Sequence, residues 1–224
     1  MPAGESITVH LGAGLVGLVL GIMVGPLADR ISTNAPAHER LLGPTPRSTA
    51  LPFVVGGTAI LGAGCGLVFG LSFEALISAF FCWILVIVTR TDLEHRLIPN
   101  RVVLPAAGIV LVARTIDDPS IAWIVGAAGA GLVMFVIVLV YPSGMGMGDV
   151  KLSAFLGAGL GAAVVSALFI GLFAAFVPAA FVLIRRGKSA LKGTLPLGPF
   201  LALGGVIALF AGDAIVGWYT QLGG

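Results

Sequence analysis

Residues 121–141 read IAWIVGAAGAGLVMFVIVLVY, a run of 21 residues without a charged side chain. A helix needs about 20 apolar residues to cross the hydrocarbon core of a bilayer, so this run predicts a membrane-spanning helix. The whole 224-residue chain has the same character, with 58% hydrophobic and 10% charged residues and a mean hydropathy of +1.11. Water-soluble domains carry about 25% charged residues, so these values exclude a soluble globular protein.

Charged residues, prolines and turn residues divide the chain into eight apolar segments. We therefore predict an all-α polytopic membrane bundle of about eight transmembrane helices. The sixth and seventh segments are the hardest to separate, but basic residues at both ends of that stretch favour two crossings. The predicted spans are residues 7–28, 51–71, 73–88, 102–113, 121–141, 152–168, 170–184 and 197–219.

The basic residues are distributed very unevenly about these spans. Eleven of the twelve Lys and Arg residues fall on one side, and only Arg114 falls on the other. Cytoplasmic loops are enriched in Lys and Arg, so the rich side is predicted to be cytoplasmic and both termini extracytoplasmic. We expect a multi-pass protein of the cytoplasmic (inner) membrane whose first span is retained. A net charge of +2 with scattered basic residues argues against a nucleic-acid partner.

Glycines recur at every fourth position in three of the segments. Such repeats predict close contacts between helices, with a ligand-lining role as the alternative. Cys65 and Cys82 lie in apolar segments without the spacing of a zinc site, so they are predicted to be packing residues. The repeats are Gly17, Gly21 and Gly25; Gly62, Gly66 and Gly70; and Gly157 with Gly161.

Two acidic segments at the ends of spans are the candidates for chemistry. Asp92 follows the third span, with Pro99 and Asn100 downstream, and Asp149 follows the fifth span. Both spans run in the same direction, so the two carboxyl groups are predicted to reach the same face and could form a pair. The structural alternatives are that Asp149 caps the next helix and that Asp92 pairs with Arg96 or lies in water.

These segments resemble the paired signatures of the bacterial type IV prepilin leader peptidases, which are GxGD-type aspartic proteases of peptidase family A24. The matching residues are Asp92 with Ile-Pro-Asn at 98–100, then Gly-Met-Gly-Asp at 146–149 followed by Lys151. Residues 195–202, LPLGPFLA, are similar to the Pro-Phe-Gly-Pro-Phe-Leu-Ala segment of that family. Three motifs in this order on alternate spans are more specific than a single GxGD.

The resemblance implies a membrane endopeptidase that removes the short basic leader of a prepilin or pseudopilin at the cytoplasmic border, without a cofactor or metal. Asp92 and Asp149 would be its catalytic pair. Two carboxyl groups in one site cannot both ionise easily, so they would share one proton. The charged one would activate water and the other would protonate the oxyanion; which of them begins with the proton stays open.

Five further residues are candidates for substrate positioning or motif roles: Gly146, Gly148, Lys151, Pro99 and Glu94. Gly146 and Gly148, with Gly144 before them, are expected to allow a sharp bend and a close approach by the substrate backbone. Lys151 could pair with a carboxylate or a lipid phosphate, or simply follow the positive-inside bias. Glu94 could attract a basic leader, although the anionic lipid surface could recruit it instead.

One departure from the family pattern concerns a second activity. Bifunctional members carry a cytoplasmic insert with two Cys-x-x-Cys pairs, which is associated with N-methylation. Residues 31–50 contain no cysteine, so we expect a short form with peptidase activity alone. We divide the chain into residues 1–50, the first span and a shortened loop, and 51–224, the catalytic membrane domain. The alternatives are a proton- or cation-coupled transporter and a noncatalytic scaffold.

Overall fold

The computed structural model describes residues 3–34, 50–140, 145–186 and 196–222. Every regular element in these ranges is helical, which confirms the all-α prediction. Eight α-helices are present in this part of the chain, with a short 3-10 helix, Gly161–Ala163, between the sixth and seventh. The α-helices are α1 (Ala3–Asn34), α2 (Leu51–Phe69), α3 (Phe73–His95), α4 (Asn100–Asp117), α5 (Ile121–Val140), α6 (Met147–Leu160), α7 (Val164–Arg186) and α8 (Gly198–Leu222).

Five stretches are long and apolar enough to cross a membrane. Four of them lie in α1, α2, α3 and α5, and the fifth runs from Met147 to Val182 through α6 and α7. A shorter apolar stretch, Gly198–Gly212, forms the first part of α8. Large apolar side chains such as Phe53 and Ile184 are more than four-fifths exposed, which suits a lipid environment and would be unfavourable in water.

The first compact unit covers Met1–Pro119 and contains α1 to α4. Its α1 and α2 meet through glycines, as the four-residue repeats predicted. A Cβ atom placed on Gly17 would lie 2.1 Å from the Gly62 carbonyl oxygen, and one on Gly66 would lie 2.2 Å from that of Ala13. The two backbones are therefore in direct contact. Gly70 has a different role, because it ends α2 with a φ of +67°.

The second unit covers Ser120–Gly224 and contains α5 to α8. Its α5 and α6 are in similarly close contact, since a Cβ atom on Gly157 would lie 2.1 Å from the Gly126 carbonyl oxygen. Gly204 of α8 lies equally close to Ala167 of α7. Gly161, the last glycine of the predicted repeats, instead ends α6 with a φ of +54°.

Most predicted span boundaries differ from the helix boundaries, and two of these differences have a clear physical cause. The third apolar segment stops at residue 88, but α3 continues for two more turns to His95. The division that was predicted at residues 168–170 lies instead at the 3-10 helix Gly161–Ala163. Gly161 adopts a φ that side chains disfavour, so it stops α6 where the hydropathy profile shows no interruption.

Arg114, the one basic residue assigned to the outer side, is buried within the first unit. Its guanidinium group donates to the Glu74 carboxylate at 3.3 Å and to the Ser78 hydroxyl at 3.2 Å. These contacts tie the last turn of α4 to the first turns of α3. Arg114, the one basic residue that did not follow the positive-inside bias, thus has its charge paired inside the protein.

Candidate active site

Asp92 lies in the last turn of α3, in the part of the helix that continues past the apolar segment. Its side chain is buried, with 6% of the residue exposed. The Asp92 backbone carbonyl accepts a hydrogen bond from the Arg96 N–H at 2.9 Å, which closes the end of the helix. Arg96 itself adopts the left-handed conformation with a φ of 54°. The helical turn that carries Asp92 is therefore followed at once by a sharp change of direction.

Pro99 and Asn100 lie at the start of α4. Pro99 is buried and occupies the N-cap of α4, and Asn100 is the first residue of that helix. The Pro99 carbonyl accepts the N–H groups of Val102 and Val103, each at 3.0 Å. Proline lacks an N–H group and fixes its own φ, so it suits this position between two helices. The segment from Asp92 to Asn100 is a compact corner between α3 and α4.

Two buried charged residues, Asp29 and Arg90, flank this corner, and the sequence had assigned no role to either. The Arg90 guanidinium forms an ion pair with the Asp29 carboxylate, and it also donates to the Asp29 backbone oxygen at 3.3 Å. Arg90 Nε donates to Glu94 Oε1 at 3.1 Å. Arg90 and Glu94 stand four residues apart on one helix face, a spacing that signals such a pair. Asp29 lies on a different helix, α1, so no such spacing in the sequence signals its pairing with Arg90.

Glu94, a candidate for substrate positioning, is half-exposed at the end of α3, with 37% of its side chain accessible. One of its carboxylate oxygens is held by Arg90, and the other lies 3.8 Å from Nε2 of His95. Part of the Glu94 carboxylate charge is therefore compensated within the protein. This arrangement reduces its attraction for a basic peptide.

Asp149 lies in the first turn of α6, and 9% of the residue is exposed. The structural alternative, in which Asp149 is the N-cap of this helix, is wrong, because the helix begins at Met147 and Gly146 occupies the cap. The Asp149 carboxylate nevertheless accepts the Gly146 N–H at 3.1 Å. It thereby satisfies one of the N–H groups that a helix start leaves unpaired. A structural contribution by Asp149 is real, and it is compatible with chemistry by the same carboxyl group.

The expected sharp bend at the glycines is not present at Gly146 or Gly148. Gly146 has a φ of −89° and Gly148 lies within α6, so neither uses the conformations reserved for glycine. Gly144 lies outside the described residues. A Cβ atom on Gly146 would meet Asp149 Oδ2 at 3.7 Å, an ordinary contact. Glycine at residue 146 is thus not required by the backbone.

Lys151 is half-buried in α6, two residues after Asp149. Most of the third motif is described as well: Pro196 and Leu197 precede α8, which begins at Gly198. Leu201 and Ala202 of that motif are buried. Its first residue, Leu195, lies outside the described part of the chain.

The structure thus groups the candidate residues by unit. Asp92, Glu94 and Pro99 lie within one corner of the first unit, whereas Gly146, Gly148, Asp149 and Lys151 lie in or beside the first turn of α6 in the second. Both aspartates are buried, and their pairing stays a prediction.

Cys65 and Cys82 are both buried, and their thiols are neighbours between α2 and α3. Their burial agrees with their prediction as packing residues. No cluster of three or more His, Cys, Asp and Glu side chains that could hold a metal ion occurs within the described ranges.

Comparison with known proteins gives a consistent result. The profile of the "Type IV leader peptidase family" matches residues 79–184. A protein of Bacillus subtilis (strain 168) named prepilin leader peptidase/N-methyltransferase is 36% identical over 169 residues, which cover 74% of this chain and 67% of that protein. The proteins of that name from Legionella pneumophila and Pseudomonas aeruginosa are 32% and 33% identical, over 78% and 77% of this chain.

The matched regions cover 63% and 62% of those last two relatives, so the chain spans about two thirds or less of the length of the curated proteins it matches. No solved structure is significantly similar to the chain. The matches give no support to a transporter. The profile match includes both Asp92 and Asp149.

Proposed function

Since this chain belongs to the type IV leader peptidase family, we propose that it is an aspartic endopeptidase that removes the short basic leader of prepilin-like proteins. The observation that carries the proposal is the pair of acidic residues within the matched region, each buried at the end of an apolar helix. Buried acids in membrane helices are rare because they are costly, and they mark functional sites.

In the proposed mechanism Asp92 and Asp149 face one scissile peptide bond and share one proton. The ionised carboxylate takes a proton from water as that water attacks the carbonyl carbon. The protonated carboxyl group donates to the developing oxyanion, and a proton is then delivered to the leaving amine.

The remaining motif residues are assigned supporting roles. Pro99 fixes the corner after Asp92. Gly146 and Gly148 leave space beside Asp149 for the substrate backbone. The protein itself has room for a side chain at residue 146, so the substrate is the reason for a glycine there. Lys151 contacts a carboxylate or a lipid phosphate near the same membrane face. Glu94 contributes through its contact with Arg90 more than by attracting the leader.

We further propose that all eight α-helices cross the inner membrane, with both termini outside and the site facing the cytoplasm. The distribution of Lys and Arg supports this orientation. A reaction at the cytoplasmic border suits the substrate class, because a basic leader stays in water while the following apolar segment enters the bilayer.

The relatives' names include an N-methyltransferase activity, but we propose that this chain acts as a peptidase alone. The support is its cysteine content. Both cysteines of the chain lie within α2 and α3, and none lies in residues 31–50. A zinc site built from Cys-x-x-Cys pairs has no ligands there.

The test is cleavage of a prepilin-like protein in membranes by the wild type, Asp92→Asn and Asp149→Asn, with protein levels compared. Asparagine keeps the size of the side chain and removes its acid function. We expect each change to abolish cleavage while the protein still accumulates. Normal cleavage by either variant would show that the altered residue is structural and that the proposed pair is wrong.

A further inference from the structure

We propose that Arg90 is a positioning residue for the active site, and that Asp29 of α1 makes the first helix part of the same assembly. This inference rests on the proposed function of Asp92. The family profile begins at residue 79, so it includes Arg90 and leaves out α1. The contacts of Arg90 nevertheless lead directly from the Asp92-bearing turn to that helix.

The contact between Asp29 and Arg90 is deeply buried. Asp29 and Arg90 have side chains that are each only 7% exposed, and they form an ion pair between α1 and α3. The same guanidinium donates to the Asp29 backbone oxygen, which also accepts the Ser32 hydroxyl at 2.9 Å. A guanidinium group that is held through several of its own N–H groups is a more rigid anchor than a simple charge contact.

The ion pair between Arg90 and Asp29 holds α3 close to its C-terminal end. Helix ends fray because their last carbonyl groups lack partners within the helix. Arg90 stands two residues before Asp92, and through Glu94 it also holds a residue two positions beyond it. Asp92 is therefore bracketed by a clamp of three residues, Asp29, Arg90 and Glu94. This clamp holds the terminal turn of α3 against α1.

Arg90 acts on the geometry of the site and takes no direct part in the chemical step. Residues two apart on a helix do not face each other, so Arg90 and Asp92 leave α3 on different sides. Two carboxylates contact the Arg90 guanidinium, which limits its effect on a third. Its influence on catalysis is expected to be geometric, through the direction in which Asp92 points.

The chain offers a matched control at the other end of the same helix. Arg114 is also a buried arginine, and it pairs with Glu74 in the first turn of α3. That pair ties α3 to α4 and lies far along the helix from Asp92. A change there removes another ion pair of a buried arginine, whose partner Glu74 has a side chain that is 44% exposed, without loosening the terminal turn.

The experiment compares Asp29→Leu/Arg90→Met with Glu74→Leu/Arg114→Met. Replacing both partners of a buried pair by apolar residues often preserves stability, whereas removing one leaves an unpaired charge. Initial rates are measured with a fluorogenic peptide that carries a basic leader, a glycine and an apolar segment. Hydrogen exchange of the α3 terminal turn is recorded on the same samples.

For Asp29→Leu/Arg90→Met, the clamp variant, we expect kcat to fall about 10- to 100-fold, the effect of misplacing a catalytic group by about 1 Å. We expect its KM to change by less than about twofold, because only the reacting geometry is lost. Exchange should increase in the terminal turn. The control variant should keep the wild-type kcat, and a wild-type kcat in both variants would overturn the inference.

A third variant, Arg90→Lys, covers the case in which the clamp variant does not accumulate. Lysine keeps one cation for Asp29 but has no Nε–H group for Glu94. We expect a kcat between those of the wild type and the clamp variant, and a wild-type kcat would again refute positioning. Asp92→Asn is assayed in parallel: if it cleaves normally, the proposed function fails, irrespective of the result for Arg90.

Discussion

Substitution of Gly146 by alanine tests whether the substrate approaches the Asp149 turn as closely as we propose. Gly146 is exposed, its φ of −89° is open to any residue, and a new Cβ atom would meet its nearest neighbour at 3.7 Å. Two other glycines provide the comparison. A Cβ atom on Gly157 would lie 2.1 Å from a backbone oxygen, whereas one on Gly108 would have no atom within 4 Å.

The three substitutions are expected to change stability by different amounts. Gly146→Ala loses about 0.5–1 kcal/mol at the N-cap and regains about 0.4–1 kcal/mol from a stiffer unfolded chain, so its net effect is close to zero. Gly108→Ala should stabilise α4 by about 0.5–1 kcal/mol. Gly157→Ala should cost about 1–3 kcal/mol or more, because the α5 and α6 backbones must move apart.

The assay measures the thermal midpoint of each purified variant and its kcat/KM for the fluorogenic leader peptide. We expect Gly146→Ala to unfold at the wild-type temperature but to lose about tenfold or more in kcat/KM, since a methyl group would occupy space that the substrate uses. Gly108→Ala should be fully active, and Gly157→Ala should be less stable. Wild-type kcat/KM for Gly146→Ala would refute the proposed close approach.

Three further predictions follow from other contacts. Cys65 and Cys82 are neighbouring buried thiols, so oxidation of membranes with copper phenanthroline should join them in a disulfide and protect both from a later maleimide. Cys65→Ser should leave Cys82 reactive in denaturant, and two reactive thiols in the oxidised wild type would contradict their proximity. Arg96→Gly should raise the free energy of unfolding by about 1 kcal/mol, because glycine adopts a φ of 54° without strain, whereas Arg101→Gly, within α4, should lower it. A topology reporter at Ala190 should give a cytoplasmic signal, and an extracytoplasmic signal would exclude eight crossings.

Hydropathy predicted the helices well but their ends less well, and the physical reasons differ from place to place. The apolar run before Thr89 marks the part of α3 that suits lipid, but hydrogen bonding carries the helix on to His95. At Gly161 the opposite problem occurs. Small apolar residues surround it on both sides, so neither periodicity nor charge marks the break between α6 and α7.

The candidate site was predictable where a residue type carries a local rule. Pro99 and Asn100 begin a helix, as proline's missing N–H group suggests. The ion pair between Asp29 and Arg90 was not predictable, since the two residues are 61 positions apart and no local pattern connects them. A charged residue near the end of an apolar helix indicates that a partner is needed, but only the packing of helices shows which one.

Because both native thiols are buried, the distance between two introduced spin labels can be measured without first removing the native cysteines. A cysteine introduced at Leu93 and another at Met147 would occupy exposed positions beside the two aspartates, and nitroxide labels would attach there in preference to the shielded pair. Strong dipolar coupling between the labels would show that the Asp92 and Asp149 turns lie close together in the intact membrane protein. Weak coupling would contradict a carboxyl pair that is already formed without substrate.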